Sequence, residues 1–227
     1  MYLRVIYELG EEGIEPRQIR IAERAGTSAP TVNETTARME RDGLLSTTSD
    51  RPLALTPVGQ ARAIAVMRKH RVSECFLHHT VHLDWEDLHV EASRWQHVLS
   101  DVAERAILQV LGFPTVSPFG NPIPGIDALM GRADSGIRPW PDTARHGTRL
   151  HEFARRGGGR ATVVLLPEGL QSDPTGLAEL RTSGIRPGRT ITVLPAPSDD
   201  SAVTVAGAPA HAAIAPAVAR AIVVLAG

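Results

Sequence analysis

The sequence predicts a mainly α chain with small β modules, and three patterns carry that prediction. Two short helices meet at a glycine turn near the N-terminus, with strand, turn and strand directly after them. Two longer helical stretches follow. Past residue 127 a Pro- and Gly-rich stretch leads into short Val- and Leu-rich runs separated by turns, the signature of a small β domain. At 227 residues and 42% hydrophobic content, the chain can fill the cores of two or three domains.

From Met1 to Gly13, Leu3, Ile6 and Leu9 recur every three residues with Val5 between, which predicts an amphipathic helix whose abrupt start looks trimmed. Arg17 to Ala25 reads as a short helix with Ile19, Ile21 and Ala22 inward. Gly26-Thr27-Ser28 then turns the chain. Ser28 can cap a second helix that tolerates Pro30 in its first turn and runs through Val32, Thr36 and Met39 to Gly43. This is a helix-turn-helix, whose second helix enters the major groove of DNA. Leu44 to Thr48 and Leu53 to Leu55 flank the turn at Ser49–Pro52 as a wing, with Arg51 at its tip to meet a phosphate. Thr56-Pro57, an N-cap followed by proline, opens a long helix to about His82.

Asp84 to Leu111 reads as one long helix, capped by Asp84 and stopped by Gly112. His89, Ser93, Gln96 and His97 share one stripe of it, and Leu88, Trp95, Leu99 and Val102 an apolar one. Pro118 to about Gly159 reads as a tether. Strands are expected at Arg160–Leu166, Thr190–Leu194, Ala202–Val205 and Ala221–Leu225, with a helical stretch at Pro174–Thr182.

The formal net charge is -1, so nucleic-acid binding needs a local basic surface. Between Arg17 and Arg71 ten Arg and Lys face five Asp and Glu. A helical bundle with a solvated basic face would also show this excess, but it would not need the wing or the capped helix after it. The single cysteine, Cys75, excludes an intrachain disulfide and fits a reducing cytosol. With no signal peptide and no long apolar run, the expectation is a cytoplasmic protein that makes no membrane contact. No catalytic constellation such as His-Glu-x-x-His is present, so an enzyme is not expected.

Arg20-Ile-Ala-Glu-Arg24, Pro30-Thr-Val32, Ala37-Arg-Met-Glu-Arg-Asp-Gly-Leu44, Ser49-Asp-Arg51, Leu55-Thr-Pro57, Val66-Met-Arg-Lys-His-Arg71 and Ser117-Pro-Phe-Gly-Asn-Pro-Ile-Pro-Gly125 resemble, in order, the diphtheria toxin repressor family of iron-dependent regulators. The similarity is close to about residue 127 and loose beyond. It implies a homodimeric repressor of double-stranded DNA operators with a divalent transition metal as corepressor: Fe2+ first, with Mn2+, Co2+, Ni2+ or Zn2+ as alternatives. Four segments follow from it: a winged helix-turn-helix at 1–64, a helical dimerisation and metal-binding domain at 65–127, a tether at 128–158 and an SH3-like small β barrel at 159–227.

For DNA, the resemblance implies Thr27, Ser28, Pro30, Thr31, Asn33 and Glu34 at the exposed start of the recognition helix, with Arg41 and Arg51 adding charge. The family's usual residue at position 34 is Gln. A carboxylate only accepts hydrogen bonds, so Glu34 alters the expected operator or is simply a solvated acid. For metal, the resemblance joins His70 and Glu74 to His89, two imidazoles and a carboxylate suited to a divalent cation. It also implies Arg71, Ser117 and Asn121 as an anion pocket, with Gln171 as the nearest counterpart of a ligand lent by the C-terminal module.

A second metal site, linked to activation, maps to Met1, Ser93, Gln96 and His97. Iron-responsive members carry Cys and Glu where this chain has Ser93 and Gln96. Two anionic ligands are thereby lost, and the preferred reading is a degenerate site, the alternative a weak sensor of an abundant metal. Cys75, His78, His79 and His82 lie at helical spacing and could form a new thiolate and imidazole site, or merely a solvated or core-lining helix end. The competing functional readings are a repressor that is metal-independent or senses another signal and, more remotely, a metal-binding enzyme or buffer.

Overall fold

The computed structural model describes residues 1–46, 52–131, 147–198, 201–206 and 211–227. The chain divides into two compact units: the N-terminal elements to the middle of one long helix, with the segment from Pro124, and the remainder.

The first unit opens with α1 (Tyr2–Glu11), α2 (Gln18–Ala25) and α3 (Ala29–Arg41). Gly26 takes a left-handed φ of 60° at the end of α2, which a Cβ would disfavour, and the chain reverses there. Ser28 caps α3, its hydroxyl accepting from the Thr31 N–H. Val5, Ile6, Leu9, Ile21, Ala22, Val32 and Met39 form the core of the three-helix unit. Ile21 and Ala22 face inward as expected, but Ile19 is 57% exposed, because residues two apart on an α-helix lie on nearly opposite faces.

β1 (Leu45–Ser46) pairs antiparallel with β2 (Ala54–Leu55) as the base of the wing. Its tip, including Arg51, lies outside the described residues. Thr56 caps α4 (Pro57–Phe76), its hydroxyl accepting from the Gly59 N–H and donating to Gly43 O. The start of α4 presses so closely on the wing that a Cβ at Gly59 would stand 2.0 Å from Leu44 O.

In the second unit the helical run ends where expected, near His82, but its last turn is not α. It passes into a π-helical turn, Leu77–Val81, and stops at His82, whose φ is 60°. The single helix expected over residues 84–111 is two: α5 (Leu88–Trp95) and α6 (Asp101–Leu111). The break has a local cause. The Ser100 hydroxyl accepts from the Ala103 N–H, and Asp101 and Glu104 sit in the first turn of α6, so a new helix starts there. Asp84 is not a cap; its carbonyl accepts from the Asp87 N–H in a turn before α5.

Part of the segment read as tether, from residue 147 onward, is among the described residues. It supplies β3 (Thr148–Arg149) and α8 (Leu150–Arg155), where α7 (Ile126–Leu129) is the short helix before it. Leu150 and Ala154 are fully buried, so this stretch belongs to a core rather than to a linker. Next come β4 (Gly159–Leu165), α9 (Glu168–Gln171), α10 (Pro174–Thr182), β5 (Thr190–Val193), β6 (Val203–Ala206), β7 (Ala212–Ile214), α11 (Pro216–Ala221) and β8 (Val223–Ala226). The SH3-like module is an antiparallel sheet of six strands in the order β3-β8-β4-β5-β6-β7. Its alternating buried residues, Ala161, Val163, Ile191, Val193, Val203 and Val205, share one core with Leu77, Trp85, Leu88 and Phe119.

The motif at Ser117–Gly125 fastens β4 to the helices. Phe119 is fully buried against the Trp85 ring at 4.9 Å, and Gly120, at a φ of 82°, passes so near β4 that a Cβ would stand 2.0 Å from Val164 O. The Leu166 N–H donates to Phe119 O at 2.9 Å.

Candidate metal centre and nucleic-acid interface

His70 and Glu74 occupy successive turns of the unbroken helix α4, and His89 sits in the first turn of α5. Their potential ligand atoms all lie within 4.8 Å of one another, the only such His, Cys, Asp and Glu group among the described residues. All three side chains are buried, His70 and Glu74 completely. A carboxylate in that setting is costly without a cation or strong donors, so the donor set fits a divalent transition metal.

The C-terminal module supplies the next contact. Gln171 is fully buried, its amide donates to Leu166 O at 2.7 Å, and this aims Oε1 at His89 Nδ1, 3.1 Å away. Glu74 Oε1 lies 3.4 Å from the same ring nitrogen. Leu166 O also accepts from Asn121 Nδ2 at 2.9 Å, so Asn121 and Gln171 are set by one carbonyl.

Sequence reasoning missed Glu168. Its Oε1 accepts from Arg71 Nε at 2.9 Å and Nη2 at 2.7 Å, and both side chains are buried. Arg71 also donates to Pro122 O. Ser117 Oγ accepts from the Phe119 N–H. The residues assigned to an anion pocket are thus engaged within the chain, Arg71 by a carboxylate of the C-terminal module. The available signal was the Glu168-x-x-Gln171 spacing, which puts both side chains on one face of a helical turn.

On the other side of the centre, Arg4 Nη1 lies 3.4 Å from His70 Nδ1, and Arg4 Nε lies 2.9 Å from the buried carboxylate of Glu8. Arg24 of α2 reaches that carboxylate at 3.8 Å and pairs with Glu12 at 2.7 Å. Charged side chains therefore run from His70 along α1 to the helix-turn-helix.

The second set of residues is differently arranged. Gln96 lies past the end of α5, 6% exposed, and its amide donates to Ser93 O at 3.0 Å and faces His97 Nε2 at 3.3 Å. Gln96 Oε1 is buried with no hydrogen-bond partner among the described residues. A donor turned on the one imidazole, among neutral groups, does not fit a dication. Met1, in the first unit, is 56% exposed.

The Cys75 site does not form. Cys75 is fully buried with Sγ 3.5 Å from Val116 O, and burial, with the Glu74 charge beside it, pushes its thiol up to about 12. It stays a thiol, not a metal-binding thiolate. The His78 and His79 rings meet edge to face at 4.8 Å, and burial followed by the His79 charge lowers the His78 pKa.

On α3 the buried residues are Val32, Thr36 and Met39, which leaves Pro30, Thr31, Asn33, Glu34, Ala37, Arg38 and Arg41 exposed on the opposite face. Residues 1–53 match the family model described as iron dependent repressor, N-terminal DNA binding domain. Residues 56–125 match the model for the iron dependent repressor metal binding and dimerisation domain. The iron-dependent repressor IdeR of Mycobacterium tuberculosis is 45% identical over 207 residues, which span 91% of this chain and 88% of that one.

The chain belongs to the iron-dependent repressor family. The diphtheria toxin repressor of Corynebacterium diphtheriae is 44% identical over 195 residues, 86% of this chain and 83% of its own. A solved manganese-dependent transcriptional repressor in complex with manganese superposes with a TM-score of 0.80 at 30% identity, covering 100% of this chain and 98% of that one. The present chain brings His70, Glu74 and His89 together and carries Ser93, Gln96 and His97, a set without a carboxylate or a thiol.

Proposed function

We propose that this iron-dependent repressor binds operator DNA as a homodimer with a divalent transition metal, Fe2+ first, held by His70, Glu74 and His89 as corepressor. The observation that carries this reading is the buried cluster of three ligating side chains within 4.8 Å. A bound dication would sit among two imidazoles and the buried Glu74 carboxylate, whose negative charge offsets part of its own. The chain's own part is positioning: Gln171 holds the His89 ring, and Arg4 links His70 through Glu8 to Arg24 on α2. The cluster joins α4 to α5, so occupancy favours one arrangement of these helices, a population shift toward the DNA-competent form.

Thr27, Ser28, Pro30, Thr31, Asn33, Glu34 and Arg41 meet DNA in this reading. The exposure of that face and the Ser28 cap support it. A second copy of the chain covers Val98, Val102, Ala106 and Val110, spaced by four along and just before α6; the three valines are 83%, 72% and 69% exposed. So apolar a stripe is unusual on a free surface, and it lies within the region matched as metal binding and dimerisation domain. Ser93, Gln96 and His97 hold no dication in this scheme.

An anaerobic Co2+ titration followed by visible absorption tests the site. One tight ion per protomer is expected, and none for Glu74→Gln. Unchanged binding by that variant would refute the assignment.

A further inference from the structure

Of the two exposed carboxylates of α3, Glu34 and Glu40, Glu34 is the one on the stripe it shares with Pro30, Ala37 and Arg38, opposite the buried face. Glu34 is exposed and, among the described residues, has no hydrogen bond or ion pair; the Thr31 hydroxyl one turn earlier is taken by Ser28 Oγ at 2.8 Å. Arg38 stands four residues on, yet the two are not paired. The acid is therefore not committed to a partner among the described residues.

An unpaired carboxylate carried toward a polyanion is repelled by phosphates unless it accepts a hydrogen bond there. Two groups in the major groove donate: the amino groups of cytosine and adenine. They are not equivalent partners. Adenine sets the acceptor N7 beside its amino group, where it repels a second carboxylate oxygen, whereas cytosine has only a C–H on that side.

We propose that Glu34 is a specificity-determining residue that accepts a hydrogen bond from a cytosine N4 amino group. The proposal rests on the reading of the chain as a winged-helix repressor. In a two-fold dimer the cytosine recurs once in each half of an inverted repeat. Neutralising the acid relaxes that position alone, because the other side chains on the stripe keep their own contacts.

The test is selection of duplexes from a random pool by the full chain loaded with Co2+, run for the wild type, Glu34→Ala and Glu34→Gln. The wild type should enrich an inverted repeat with cytosine fixed at one position per half-site. Glu34→Ala should lose the preference there and keep the rest, and Glu34→Gln should shift it to adenine, which an amide contacts through both N6 and N7. Replacing the cytosine by thymine should weaken the wild type about 5- to 150-fold and Glu34→Ala hardly at all. An unchanged consensus for Glu34→Ala overturns the proposal, as does a uniform gain in affinity for Glu34→Gln with no change of consensus. Enrichment of no duplex by any of the three proteins would instead overturn the repressor reading, and the Glu34 assignment with it.

Discussion

Gln171 Oε1 lies 3.1 Å from His89 Nδ1, across 82 residues of sequence, and joins the C-terminal module to the metal cluster. The contact is fixed from behind, since the Gln171 amide is held by Leu166 O and that carbonyl by Asn121. Gln171→Ala should weaken Co2+ binding about 10- to 100-fold, the usual effect of losing a group that orients a ligand. Isothermal titration measures it. Equal affinities would mean that the His89 ring is oriented without the C-terminal module.

Restoring charge at the second set should create a second site. Ser93→Cys combined with Gln96→Glu returns a thiolate and a carboxylate beside His97, and the metal content after equilibrium dialysis should rise from one ion to about two per protomer. A wild type already holding two would contradict the reading of Gln96.

The valine stripe makes a separate prediction. Val102→Glu sets a charge at the centre of an apolar face, and sedimentation equilibrium should show the dimer weakened by about 30-fold or more with helical content unchanged. A dimer as tight as wild type would move the interface elsewhere.

Cys75 gives a pH signature. Its thiol pKa rises from 9.0 in the open chain to about 12 in the fold, so above pH 9 the unfolded chain releases a proton that the native state keeps. Stability from this group is full below pH 9 and is lost as pH climbs toward 12. In thermal melts Cys75→Ala should decline less steeply over that window than wild type. Parallel curves would show that the thiol titrates normally.

Much of the architecture was legible in the sequence because its signals are local. Gly26, the Ser28 cap and Thr56-Pro57 mark helix ends by backbone chemistry within a few residues, and those ends lie within a residue or so of their expected places. The break at Ser100 was equally local. It was hidden by apolar spacing that runs through both helices, and the hydroxyl cap overrode that pattern. The six-stranded sheet was only partly visible, since β3 and β7 are two and three residues long, and β3 pairs with β8 at the far end of the module, Thr148 opposite Val224. The site divides in the same way. His70 and Glu74 follow from helical spacing, but the Arg71–Glu168 pair joins residues 97 apart, and no periodicity encodes it.

The most direct test of a metal corepressor at His70, Glu74 and His89 is fluorescence anisotropy of a selected operator duplex, titrated with the protein in Fe2+ and again after chelation. The wild type should bind tightly with metal and lose at least about 10-fold on chelation, and His70→Ala should match the chelated protein in both conditions. Binding indifferent to chelator, or a His70→Ala protein that still responds to Fe2+ as the wild type does, would contradict the account.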